Sequence, residues 1–366
     1  MFNIIDQGRR QGLVDNAATP RVSIVLPNLN YRAFLEPRFE SILAQTFSDW
    51  ELIVVDGCSD DGAWELIQDY AARDSRLRVL QSERRGIYDA LNRGISQARG
   101  EYVYIATSDD TMEPDCLERM VAGLDAHAEC GLCHCSLRVI DEQGRTLEGM
   151  WRSFPVGRFF GALMDVPHIR LAPHDGILHA AVYTVYVSLT TLLIRRSVFE
   201  RVGVFREDWG SVCDFEWGMR ASLVTSTLHL PEELATWRLH EAQATAELMI
   251  GSSVRHRQLA EMVEAALQIL EGENPPLWEK IDVDRLLKPY RQQGLGLGLW
   301  EQPGKLRKLA YLGRALLREP GLVVDNLREY LLPRSLVPSS LDYIRAELER
   351  LGLQDNIRLL DRSPCE

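Results

Sequence analysis

The sequence predicts an α/β fold: a mixed, mainly parallel sheet flanked by helices, followed by a mostly α-helical C-terminal region. Three observations predict it. Apolar strand-like runs alternate with helical patterns through the first 125 residues, three of those runs carry Asn or Asp at or just beyond their ends, and from Ser252 onward the pattern is almost wholly helical. Strands separated by helices imply a parallel sheet with helices on both faces. Ligands of such sheets gather at the carboxyl ends of the strands.

The elements follow in order. Val22–Pro27 is an apolar strand, and Leu35–Thr46 has helical spacing. Glu51–Asp56 is the second strand, Ala63–Ala72 the next helix, Leu77–Gln81 the third strand and Tyr88–Arg99 the helix after it. Tyr102–Thr107 is the fourth strand, and Glu113-Pro114 opens a helix over Asp115–Ala126. Gly131–Ile140 alternates like a strand, which places Cys133 and Cys135 on one face. Residues 141–180 read as loop-rich; Thr190–Ile194 is a strand, Ser197–Val202 follows it, and Asp214–Leu223 has helical spacing. Beyond Ser252 the helical pattern is interrupted near Asn274-Pro275-Pro276, Gly294–Gly298, Pro320-Gly321 and Pro333–Pro338.

This pattern divides the chain into an N-terminal extension (1–20), an α/β unit (21–250, with halves 21–125 and 126–250) and a helical region (251–366). A chain of 366 residues has room for one large domain or two. The formal charge of −12 argues against a sequence-general nucleic-acid binder, which needs a basic face. The whole deficit lies in residues 1–250, and the only lysines are Lys280, Lys288, Lys305 and Lys308. Residues 1–20 lack the apolar stretch of a signal peptide, and seven cysteines without a regular framework suit a reducing cytoplasm. Cys130, Cys133 and Cys135 around His134 have no second ligand pair nearby, so buried structural cysteines are favoured over a metal or redox site.

The chemistry concentrates at strand ends. The first strand closes at Pro27 with Asn28 and Asn30 beyond it, the second at Asp56, and the fourth in Thr107-Ser108-Asp109-Asp110. Adjacent carboxylates repel unless a cation or a donor lies between them, and Mg²⁺ or Mn²⁺ is the usual solution when a diphosphate shares the site. A dehydrogenase would want Gly-x-Gly-x-x-Gly at the first turn, and a sugar-1-phosphate nucleotidyltransferase a Gly-rich basic loop there; Pro27–Tyr31 is neither.

Val22–Pro27 with Asn30, Ser41–Thr46, Trp50–Gly57, Gly86–Ile95 and Gly100–Asp110 occur in an order and spacing that resemble a family 2 glycosyltransferase, closely over 21–125 and more loosely over 190–245. The resemblance implies a GT-A fold and inverting transfer from a nucleoside-diphosphate sugar, with UDP expected, to a glycan or lipid-linked glycan. It implies that Pro27, Asn30 and Asp56 frame the base, that Arg84 or Arg85 and Asp89 lie beside the nucleotide, and that Asp109 sits at the ribose or metal. Asp110 would hold Mn²⁺ or Mg²⁺. Cys213–Arg220 resembles the family's acid motif, with Asp214 aligned as the catalytic base, Glu216 as a second candidate, and Cys213 standing where the family usually has Glu. Thr236–His240 resembles a segment whose late His approaches the metal, making His240 a candidate ligand.

Alternative readings stay open for several of these. Asp214 and Glu216 could merely cap a helix, and Trp209 and Trp217 could stack a sugar or simply pack. Lys305–Arg318 reads as a basic amphipathic helix, either on an anionic membrane surface or packed on the catalytic domain, and the tail could also mediate a homodimer. The expected location is cytoplasmic, with peripheral contact on the inner face of the membrane. A non-catalytic carbohydrate-binding or scaffold role is the rival function; it needs neither Asp110 nor Asp214.

Overall fold

The computed structural model describes residues 19–182, 184–240, 252–331 and 339–360. Most of the expected N-terminal extension, the expected boundary at 250/251 and the Pro333–Pro338 break lie outside the described residues. The chain runs β1 (Val22–Asn28), α1 (Arg32–Leu43), β2 (Trp50–Asp56), α2 (Ala63–Arg73), β3 (Leu77–Gln81), α3 (Ile87–Ser96), β4 (Tyr102–Ile105), α4 (Cys116–Ala126) and β5 (Cys130–Ile140). It continues through α5 (Met150–Ser153), α6 (Pro155–Phe160), β6 (His168–Arg170), α7 (His174–Val182), β7 (Leu192–Arg195), α8 (Arg196–Val202), α9 (Cys213–Val224) and β8 (Ser226–Arg238). Then come α10 (Ser253–Leu267), α11 (Ile269–Glu273), α12 (Pro275–Trp278), α13 (Val283–Glu301), α14 (Lys305–Arg318), α15 (Pro320–Leu331), α16 (Ser340–Arg350) and β9 (Ile357–Leu359).

The strands form one sheet in the order β3-β2-β1-β4-β7-β5-β8-β6-β9. β1 pairs in parallel with both β2 and β4, and β2 with β3. β7 is antiparallel to β4 and β5, and β8 runs parallel to β5. Every residue of β1, β2 and β4 is buried, as expected of central strands covered on both faces. The parallel register sets Asn28 opposite Asp56, so two polar strand ends meet. α3 lies close on the sheet because Gly94 has no Cβ to strike Val25.

The structure corrects four expectations. Residues 141–180 are not mainly loop: they hold α5, α6, β6 and α7. Their helices are short, and α7 carries fully buried histidines that break any apolar stripe. The thirteen-residue β8 was unforeseen; its pairing with β5 shifts register near Pro231–Glu233, which interrupts strand alternation. Gly294–Gly298 does not interrupt a helix, since α13 runs straight through it and Gly298 leaves the space that the Tyr311 side chain fills. Finally, the helical region returns to the sheet, where β9 adds to β6 as an antiparallel edge.

One apolar core runs from β1 through α9 and α10 to Leu353. Cys130, Cys133 and Cys135 are buried free thiols within it, and burial raises the pKa of each. Among the described residues no three His, Cys, Asp or Glu side chains are grouped to hold a metal on their own.

Candidate active site

The mouth of the sheet is organised first by Asp56. Its buried carboxylate accepts from Asn28 Nδ2 (2.8 Å), from the Ser59 backbone N–H (2.9 Å) and from Ser59 Oγ (2.6 Å). Those bonds curl residues 57–62 over the ends of β1 and β2. Asn30 adopts φ 58°, a left-handed conformation that Asn tolerates, and its Oδ1 accepts from the Asp60 N–H at 2.9 Å. Arg84 crosses to the same loop, donating to the Cys58 carbonyl (2.7 Å) and to Asp60 (2.8 Å). The expectation that Asp56 presents its carboxylate to a base is thereby modified: the group is committed to the loop that would surround the base. Arg85 is exposed and pairs with Glu83, while Asp89 pairs with Arg93 one turn later on α3.

At the end of β4, two neighbouring acids take different roles. Asp110 is 1% exposed; one oxygen accepts from the Arg238 N–H (2.8 Å) and the other from Thr107 Oγ1 (2.5 Å). Burial, then the charge of Asp109, pushes its pKa up to about 7. Asp109 is the more exposed of the two, its side chain 12% accessible, with Oδ2 3.0 Å from Nε2 of His240, whose side chain is 3% accessible. His240 is held edge-on to Tyr31 and against Phe34, whose ring also carries the Arg238 guanidinium at 5.3 Å. Arg238 Nε donates to the Asp109 carbonyl at 2.9 Å and so ties the end of β8 to the acidic pair. Asp109 with His240 is thus a pair that could hold a metal, whereas the carboxylate of Asp110 is turned inward. Two protein ligands suit a Mg²⁺- or Mn²⁺-type cation, which takes one or two carboxylates and completes its shell with phosphates and water.

The third group sits at the start of α9. Asp214 is half-buried, and its Oδ1 accepts from Tyr88 Oη at 2.7 Å. Tyr88 lies on α3, which Asn92 also pins to the second half through two hydrogen bonds with the Phe205 backbone (2.8 and 3.0 Å). Burial raises the Asp214 carboxyl to about 6, against the lowering effect of the Tyr88 hydrogen bond. Glu216, two residues on, is fully buried and forked by Arg220 at 2.6 and 2.9 Å. It is bound in structure, so it cannot serve as the second base candidate. Trp217 is likewise core, stacked on Phe199 at 4.7 Å with its N–H on the Gly203 carbonyl, whereas Trp209 is half-buried.

The fold thus gathers Asn30, Asp56, Asp109 and His240 at one set of strand ends and brings Asp214 against α3. Tyr88, Arg238, Thr107 and Ser59 were missed as contributors. Tyr88 stood inside a recognised motif and Arg238 two residues before His240, but their partners lie 126 and 128 positions away in sequence.

The profile described as Glycosyl transferase family 2 matches residues 23–179. The EpsJ glycosyltransferase of Bacillus subtilis (strain 168) is 39% identical over 101 residues, 28% of this chain and 29% of that protein. Four such curated relatives are matched over only 23%, 38%, 29% and 41% of their own length. S. aureus TarS 1–349, solved with UDP-GlcNAc, superposes with a TM-score of 0.56 at 16% identity, covering 91% of this chain and 89% of that one. The mannosyltransferase PcManGT from Pyrobaculum calidifontis, solved with GDP-Man and Mn²⁺, gives a TM-score of 0.51 at 18% identity over 93% and 88%. Those two likenesses are of fold. With the motifs of β1 to β4 inside the matched segment, the chain resembles the family 2 glycosyltransferases over residues 23–179, and its sheet has the GT-A-like arrangement of those structures.

Proposed function

We propose that the chain performs inverting, metal-dependent transfer of a sugar from a UDP-sugar to a hydroxyl of a glycan or lipid-linked glycan. The observation that carries this reading is the half-buried Asp214, held by Tyr88 from the nucleotide-side helix. Inversion is one displacement: the acceptor oxygen attacks the anomeric carbon, the bond to the departing diphosphate breaks, and a carboxylate takes the acceptor proton. That proton would pass to the Asp214 carboxylate, whose Oδ1 also accepts from Tyr88. With a pKa of about 6, Asp214 is mostly ionised at neutral pH yet basic enough to draw on a hydroxyl.

On the donor side, the loop at 57–62 with Asn30, Arg84 and the Pro27 end of β1 would receive the nucleotide, with Arg85 and Asp89 at its rim. A divalent cation on Asp109 and His240, with Asp110 behind them, would neutralise the departing diphosphate. The Mn²⁺ found with PcManGT supports this assignment by analogy. The test is Asp214→Asn. Transfer should fall by roughly a thousandfold or more, the scale of losing a general base in concert with its partners, while UDP with Mn²⁺ still raises the melting temperature. Near-normal transfer by that variant would retire the base assignment. A chain that no nucleoside diphosphate stabilises, with or without Mn²⁺, would retire the donor site.

A further inference from the structure

We infer that the outward face of α14 docks in the plane of an anionic lipid bilayer. α14 carries Lys305, Arg307, Lys308, Arg314 and Arg318 and no acid, and none of its residues is buried. At 100° per residue, Leu306, Leu309, Ala310, Gly313 and Leu317 share one face. That face points away from the protein: Leu306 is 84% exposed, Leu309 65% and Leu317 86%. The opposite side, Tyr311 with Leu312 and Ala315, is the half-buried one, and Tyr311 fills the space at Gly298 of α13. Among the described residues, packing therefore does not explain the apolar stripe.

The flanks identify the occupant. On the same angular projection Lys305 lies to one side of the stripe, and Arg307, Arg314 and Arg318 to the other. None of these four is in an ion pair among the described residues. Trp300, at the end of α13, is 80% exposed and lies under the Lys308 ammonium at 4.9 Å, on the side of α14 away from the stripe. An exposed apolar ridge with a cationic border matches a phosphate-bearing interface above hydrocarbon. No helix among the described residues is long and apolar enough to cross a membrane, so the contact is parallel to the surface.

The face is also tied to the site. Ser253, at the start of α10, bonds Glu301 just before α14, through its N–H at 2.8 Å and its hydroxyl at 2.5 Å. Arg255, two residues on, reaches Ser211 Oγ at 3.1 Å, three residues before Asp214. A surface that held α14 would present a lipid-linked acceptor near the loop that precedes the base. That last step rests on the proposed transfer reaction; the docking itself does not.

The experiment is co-sedimentation of the full chain with vesicles of phosphatidylcholine, and of phosphatidylcholine mixed with phosphatidylglycerol. Binding should favour the anionic vesicles by roughly tenfold or more and weaken as salt is raised. The double variant Leu306→Glu with Leu317→Glu, both on the solvent face, should lose binding while its melting temperature and its stabilisation by UDP with Mn²⁺ stay as in the parent. Equal binding to neutral vesicles, or undiminished binding by the double variant, overturns the inference. So does a dimer in solution that the same two substitutions dissociate, since the face would then belong to a second copy. Loss of the UDP response in the parent chain would count against the transfer reading and leave the docking result standing.

Discussion

Replacing Tyr88 by Phe removes one hydrogen bond and keeps the ring, which packs against Phe205 with centroids 5.7 Å apart. The phenol donates to Asp214 at 2.7 Å and lowers a carboxyl that burial has raised to about 6. A hydrogen bond to a charged group contributes about 1.5–3 kcal/mol, and about 1.4 kcal/mol is one pKa unit, so the variant's base should titrate roughly one to two units higher. A general base works only when ionised, and activity therefore rises with pH through its pKa. At pH 7 the ionised fraction should fall from about nine-tenths to between about a half and a tenth, giving a roughly two- to tenfold loss of kcat. The loss should vanish near pH 9. The assay is a pH profile of kcat at saturating donor and Mn²⁺ for both proteins. An acidic limb that stays in place, or a loss of equal size at every pH, refutes the claim that Tyr88 tunes Asp214.

Two further outcomes follow from buried polar groups. His134, His168 and His229 are held neutral by burial and by the charge of Arg170, His168 at about 4 and the other two well below the ordinary imidazole range. Their folded pKa values are depressed, so the unfolded chain binds the extra protons; stability is full above roughly pH 6.5 and declines as pH falls toward 4, by about 1.4 kcal/mol per unit for each such His. Urea midpoints should drop steeply between pH 7 and 5, and more shallowly for His168→Gln; midpoints flat with pH would contradict this. Asp56→Ala strands the donors of Asn28 and Ser59 inside the mouth and should cost about 2–4 kcal/mol in urea unfolding, together with the UDP-induced rise in melting temperature. A variant that keeps both would show that the 57–62 loop does not depend on its anchor.

The regular part of this protein was legible because its signals are local. β1, β2 and β4 are short apolar runs with Asn or Asp at or shortly beyond their ends, and the helices between them keep helical spacing, so a parallel sheet with a polar mouth follows from periodicity and from where ligands bind such sheets. The same reading failed on α7, β8 and the Gly294–Gly298 stretch. Buried histidines, a register shift and a glycine filled by a distant Tyr311 are all settled by partners far along the chain.

The sequence by itself determined the family's motifs, their order and the set of acids from which a site could be built. Only the tertiary structure chose among those acids, because a carboxylate's availability depends on what surrounds it. Asp214 and Glu216 differ by two positions on one helix, yet the first meets Tyr88 at the cleft and the second is locked by Arg220 in the core. Asp109 and Asp110 are adjacent, yet the direction of the chain leaving β4 turns one toward His240 and the other toward the Arg238 backbone. The apolar stripe of α14 was equally visible in sequence. That it faces solvent, with Tyr311 turned inward instead, is decided by how α14 packs on α13.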